Sequence, residues 1–126
     1  MKTLAQFLML ANTCVFFFGA VQHAGVTVGP FHEPVIIPAT IVEGVCGIAL
    51  LGGVVALSRN SAARWRMAVI ANFVALGGVV LGMVALALGA GPRTTTNDLY
   101  HRIMLVLIAA SLLVLLAGTS RMIRQD

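Results

Sequence analysis

With 126 residues, 60% of them apolar and 10% charged, the chain has room for one domain but too much apolar surface for a water-soluble one. Soluble domains run at roughly 45–50% apolar and about 25% charged, so the composition fits lipid as the solvent. The net charge of +4 carries no basic stripe interleaved with aromatics, which excludes a nucleic-acid surface.

A membrane-spanning helix needs about 20 mostly apolar residues, and four runs supply them. The first is residues 4–24. It follows Lys2 and resembles a secretory signal, but its apolar part exceeds a usual h-region. No small-x-small cleavage site follows, because Phe18 precedes Ala20 by two positions and Gln22 precedes Ala24, so a retained helix is expected. Residues 25–34 then carry Gly-Pro and Glu-Pro breaks before the second run, residues 35–57. Arg59, Arg64 and Arg66 separate it from the third run, residues 67–89, and a further Gly-Pro precedes the fourth, residues 99–118. None alternates polar and apolar residues as barrel strands do, and only helices remain to satisfy the backbone in hydrocarbon. The expected fold is all-α: an integral membrane four-helix bundle, one transmembrane domain over residues 1–126.

Basic residues set the orientation of such a bundle. Lys2, Arg59, Arg64, Arg66, Arg121 and Arg124 fall on one side and only Arg93 and Arg102 on the other. The expectation is N-in/C-in, with the middle connection cytoplasmic and Trp65 beside it as an interfacial anchor. Gly78 and Gly82 form a G-x-x-x-G step, from which close packing of the second and third helices through their glycines is expected. The string LGGVV at 51–55 and 76–80 runs in opposite directions across the membrane, and low-complexity composition explains it more cheaply than duplication.

On this topology His23, His32, His101, Glu33 and Asp98 all gather on the outer side, and Glu43 lies inside the second helix. Nine residues past Pro34, it falls about 13 Å below the outer boundary. A carboxyl there costs about 2.5–3.5 kcal/mol on insertion scales and is by default a functional-site candidate, held as the neutral acid by desolvation. The alternative is a protonated Glu that merely bonds a neighbouring helix. Asn12, Phe16, Gly19 and His23 share one helical face, with Asn12 at a depth similar to Glu43. Asp98, His101, Leu105 and Ile108 share a face of the fourth helix, flanked by Tyr100 and Arg102. Converging, these faces give a ligand site of Glu43, Asn12, His23, His101 and Tyr100, with Asn12 or His23 as the nearest polar partner of Glu43. In the blander reading His32, Glu33 and Asp98 are solvated loop residues and His23 and His101 interfacial ones.

No H-x-x-x-H pair or other metal-ligand spacing is present, so no metal site is expected. His23 and His101 leave a bis-histidine haem geometrically open. No nucleotide loop, nucleophile elbow or paired catalytic carboxylates occur, and the catalytic residues, if any, stay unknown. Cys14 and Cys46 form no C-x-x-C pair and read as two buried small hydrophobes.

The stretch Pro38-Ala-Thr-Ile-Val-Glu43-Gly-Val-Cys-Gly47-Ile-Ala-Leu-Leu51-Gly52 resembles the second helix of the DoxX-like membrane proteins. Phe17-Phe18-Gly19, Asn97 and Leu116-Ala117-Gly118 resemble other family steps in order, so the likeness covers most of the chain. It implies a four-helix bundle in the bacterial cytoplasmic membrane, associated with quinone-linked redox work or with soluble oxidoreductase partners. The chain departs from the family at His23, where many relatives carry Lys, and in lacking a redox cysteine pair. Its length and span count also resemble the small multidrug transporters, whose essential carboxylate lies in a first helix that has none here.

The leading expectation is therefore a bundle in the lipid bilayer that binds a small hydrophobic ligand or quinone-like cofactor, in a redox or stress context. The alternatives are a proton-coupled transporter acting as a homodimer through Glu43, or a non-catalytic subunit of a membrane complex.

Overall fold

The computed structural model describes residues 1–30, 33–59 and 63–123, with side chains up to residue 120. Its elements are four α-helices: α1 (Lys2–His23), α2 (Ile37–Ser58), α3 (Arg64–Ala87) and α4 (Thr95–Ile123). There is no β-strand among the described residues. All four helices are long and apolar enough to cross a membrane, and the chain is accordingly a multi-pass membrane protein. At about 1.5 Å per residue the 22 residues of α1 reach about 33 Å, slightly more than a hydrocarbon core of about 30 Å.

The helix ends differ from the limits of the apolar runs. The third helix begins at Arg64 rather than residue 67, and the fourth at Thr95 rather than residue 99, continuing to Ile123. Apolarity marks only the part of a helix that lies in hydrocarbon, whereas the backbone keeps its hydrogen bonds into the headgroup layer. Pro38 sits in the first turn of α2, where a missing N–H costs nothing. α1 and α3 end alike. Gly25 (φ 93°) and Gly89 (φ 76°) take the left-handed conformation after the last turn. The next residues then close the helix, Val26 N–H donating to the Val21 carbonyl and Ala90 N–H to the Ala85 carbonyl.

The helices run up and down in chain order. α1 packs on α2 and α4, and α3 on the same two, so the bundle closes as a ring. Gln6 bonds Ser58 at one end of the α1–α2 seam, and Met9 meets Gly53. Nearer the other end Phe17 covers Gly47 and Gly19 faces Glu43, while Ile36 N–H donates to the His23 carbonyl. Both chain ends and the 59–63 connection thus share one end of the bundle, and the 24–36 and 88–94 connections the other.

Polarity is inside out. Phe7, Ile41, Ile48, Phe73, Val106 and Leu113 are exposed, while Asn12, Thr13, Asn72 and Ser111 are buried. That is the expected partition when the surroundings are apolar: lipid-facing positions carry hydrocarbon and polar groups turn toward one another.

The glycines divide by role. Gly53 of α2 receives Met9 from α1 and the Ala71 methyl from α3, and on the α2–α3 seam Gly78 receives Cys46 and Val42. Gly82, expected on the same seam, lies instead against His101 of α4, because four residues turn a helix by about 400° and leave it about 40° round from Gly78. Gly44, Gly52 and Gly77 meet nothing within 4 Å. Trp65 is buried on Gly118, where it ties α3 to α4 rather than lying as an anchor among headgroups. Cys46 is buried as expected, but Cys14 is exposed, on the outer side of α1.

Candidate functional site

At the end of the bundle that carries the 24–36 and 88–94 connections, the helices do not close tightly. A cavity of about 330 Å³ lies among them, touched by all four. Its floor is set by small residues: Ala39 from α2 and Gly78, Gly82 and Ala85 from α3 leave room that larger side chains would fill.

Four of the five expected site residues meet there. Glu43, His23, Tyr100 and His101 all line the cavity. Glu43 enters the bundle in the second turn of α2, six residues after Ile37 and about 9 Å in, shallower than the spacing from Pro34 implied. It is only 6% exposed. Glycine at position 19 lets it in, because a β-carbon there would stand 2.8 Å from Glu43 Oε1. Tyr100 hydrogen-bonds the same carboxyl, and its hydroxyl also approaches the Val15 carbonyl at 3.5 Å. Glu43 Oε2 is buried with no hydrogen-bond partner.

The two histidines are held from outside the cavity. His101 Nδ1 donates to the Asn97 carbonyl at 2.8 Å and His23 Nδ1 faces the Pro34 carbonyl at 3.5 Å. A carbonyl only accepts, so in the neutral ring the proton sits on Nδ1 and each Nε2 presents a lone pair. His23 directs its Nε2 to Glu43 Oε1, 3.8 Å away, and His101 directs its own to Gly82. The cavity wall therefore carries more acceptors than donors.

Asn12 does not belong to this site. It stands between the Met9–Gly53 and Phe17–Gly47 contacts, hence opposite Leu50 and about two turns, roughly 11 Å, deeper than Glu43. Its amide donates to the Leu8 carbonyl at 3.0 Å and to the Leu107 carbonyl of α4 at 3.4 Å. The depth expected for it came from counting along each run separately; the seam register shows otherwise. Asn12 ties α1 to α4, and the nearest polar partners of Glu43 are Tyr100 and His23.

Two residues read as peripheral are structural neighbours of the site. Glu33 is buried and accepts a 2.9 Å hydrogen bond from Thr94, so it is not a solvated loop residue. Asp98 is paired with Arg93 at 2.9 Å, an exposed pair that contributes little. His32 lies outside the described residues. Asn97 was not expected among the ligand-site residues, yet it lines the cavity with its side-chain Oδ1 buried and unpartnered. Its position four residues before His101, on the same helical face, was the available signal. Among the described residues no group of three His, Cys, Asp or Glu side chains converges as a metal site.

A second, smaller cavity of about 190 Å³ lies between α1 and α4. His23, Asn97 and Tyr100 line both cavities and form the wall between them, and Glu33 and Gln22 line the far side.

No family model, curated protein or solved structure matches the chain. The geometry of the site therefore carries the functional argument.

Proposed function

We propose that this is a DoxX-like membrane protein that holds a small, mostly apolar molecule with a polar head in the Glu43 cavity, in a redox or stress context. The observation that carries the reading is the carboxyl of Glu43: buried, with Oε2 unpartnered, on the wall of a cavity of about 330 Å³. Pockets for small molecules start near about 300 Å³ and are mostly apolar with a few convergent polar groups, which describes this one. A buried polar group without a partner costs about 1–3 kcal/mol, a cost that a ligand bonding it removes. The DoxX-like setting rests on the resemblance around Pro38–Gly52, and the N-in/C-in orientation on the basic bias at the end bearing both termini.

A second reading, a proton-coupled transporter, draws on the same carboxyl standing beside His23, since an intramembrane Glu next to a histidine is a proton-relay arrangement.

The test is to purify the protein in mild detergent and analyse solvent-extracted small molecules by mass spectrometry, beside an Ala85→Phe variant that fills the cavity. A compound present at near-stoichiometric amount in the wild type and lost from the variant supports the reading. Identical extracts from both proteins contradict it.

A further inference from the structure

The chemistry of the cavity wall specifies the charge of its occupant. We propose that the ligand is a hydrophobic ammonium, an amine carrying a positive charge and at least one N–H, which reaches the cavity sideways from the lipid between α2 and α3. The proposal rests on the cavity reading above and names its ligand class.

Charge is the first argument. Glu43 lines the cavity, and no Lys or Arg does among the described residues. Behind the wall of His23, Asn97 and Tyr100, the second cavity likewise has a carboxyl, Glu33, and no Lys or Arg among its described lining residues. An anionic head would meet carboxyls from both sides.

Hydrogen-bond polarity is the second argument. Glu43 Oε1 faces His23 Nε2 at 3.8 Å, and the His23 ring proton is directed at the Pro34 carbonyl. With Glu43 as a carboxylate, Oε1 and His23 Nε2 are two acceptors facing each other. Glu43 Oε2 and Asn97 Oδ1 are buried acceptors with no partner. An N–H donor with a positive charge satisfies several of these at once, by charge-assisted bonds stronger than neutral ones. Phe16 and Tyr100 add ring faces or edges to the same wall, and a cation over an aromatic face gains further attraction.

Access is the third argument. Pro38 of α2 and Leu81 of α3 line the cavity and are also exposed on the outside of the bundle, Leu81 to 57%. Between them the lining residues Ala39, Val42 and Ala85 are small or apolar. The cavity wall is therefore apolar where it meets the hydrocarbon side of the bundle, and an alkyl amine drawn from the bilayer would approach along it with its head meeting Glu43 inside.

The experiment titrates the full chain in nonionic detergent with 1-adamantylammonium and with 1-adamantanol, its uncharged counterpart of nearly the same shape, by calorimetry. The ammonium should bind at least about tenfold more tightly than the alcohol. Glu43→Gln should weaken the ammonium at least about tenfold and leave the alcohol within about twofold. The comparison of ammonium with alcohol on the wild type needs no variant and decides the matter should Glu43→Gln fail to fold. Equal binding of ammonium and alcohol overturns the cation inference and leaves the cavity reading standing. Failure of both to bind the wild type also overturns it, and the extraction experiment then judges the cavity by itself.

Discussion

His23 Nε2 stands 3.8 Å from Glu43 Oε1 across the α1–α2 seam, beyond hydrogen-bond length. Two features hold the pair there. The Ile36 N–H donates to the His23 carbonyl at 2.9 Å, levelling the ends of the helices, and Gly19 gives the carboxyl room to turn inward.

Substitutions at Glu43 separate a structural role from a binding one. Glu43→Gln keeps the shape and a partner for Tyr100, and its unfolding in detergent should stay within about 1 kcal/mol of wild type. Glu43→Leu removes that acceptor and leaves the Tyr100 hydroxyl only the Val15 carbonyl at 3.5 Å, at a cost of about 1–3 kcal/mol. Thermal unfolding followed by circular dichroism checks both, and a Gln variant as unstable as the Leu variant would show that the charge itself holds the fold.

Glycine substitutions should sort by what each glycine touches. Leucine at Gly78 drives into Cys46 and Val42, and at Gly82 into His101, so both variants should lose about 1–3 kcal/mol as overpacked sites do. Leucine at Gly77, which meets nothing within 4 Å, should be tolerated. Melting temperatures of the three proteins, measured side by side, test the ring arrangement of the helices. A Gly77 variant as damaged as the other two would mean that the seam lies elsewhere.

Much of the bundle was legible in the sequence, and the exceptions share a cause. Run lengths and Gly-Pro breaks placed four helices, because apolarity over about 20 residues reports directly on hydrocarbon thickness. Helical phase placed His23 and His101 on faces that line the cavity with Glu43, and Tyr100, expected to flank that face of α4, lines it too. Phase within one helix says nothing of how two helices are offset along their axes, however. That offset, fixed by the Met9–Gly53 and Gly19–Glu43 contacts, is what takes Asn12 away from the site. The burial of Glu33 was left open by the sequence for a related reason: it depends on Thr94, which is 61 residues away in the chain and adjacent only after α3 returns. Trp65 likewise found Gly118, a partner that no local pattern announces.

Asn12 gives a control on that lesson. Asn12→Leu deletes the bonds to the Leu8 and Leu107 carbonyls and should cost about 0.6 kcal/mol, at most about 1.7, as interhelical polar contacts in membranes do. Ligand retention, measured by the same extraction as for wild type, should not change. Loss of the ligand from this variant would return Asn12 to the site.

The proposed orientation rests on the basic residues alone and is testable without a ligand. In a background lacking Cys14 and Cys46, a cysteine at position 61 should resist a membrane-impermeant thiol reagent applied to intact cells, while one at Thr95 should react. Labelling of position 61 from outside would invert the bundle.

The most direct measurement on the central claim is photolabelling of the wild-type protein with a small, apolar diazirine amine, mapped by peptide mass spectrometry. Saturable labelling of cavity residues such as Ala39, Val42 and Ala85, competed by unlabelled amine and abolished in Ala85→Phe, is the result expected of an occupied Glu43 cavity. Labelling confined to outward positions such as Ile41, Ile48 and Phe73, unaffected by competitor or by the cavity-filling variant, would show a molecule dissolved in lipid around the bundle and contradict the account.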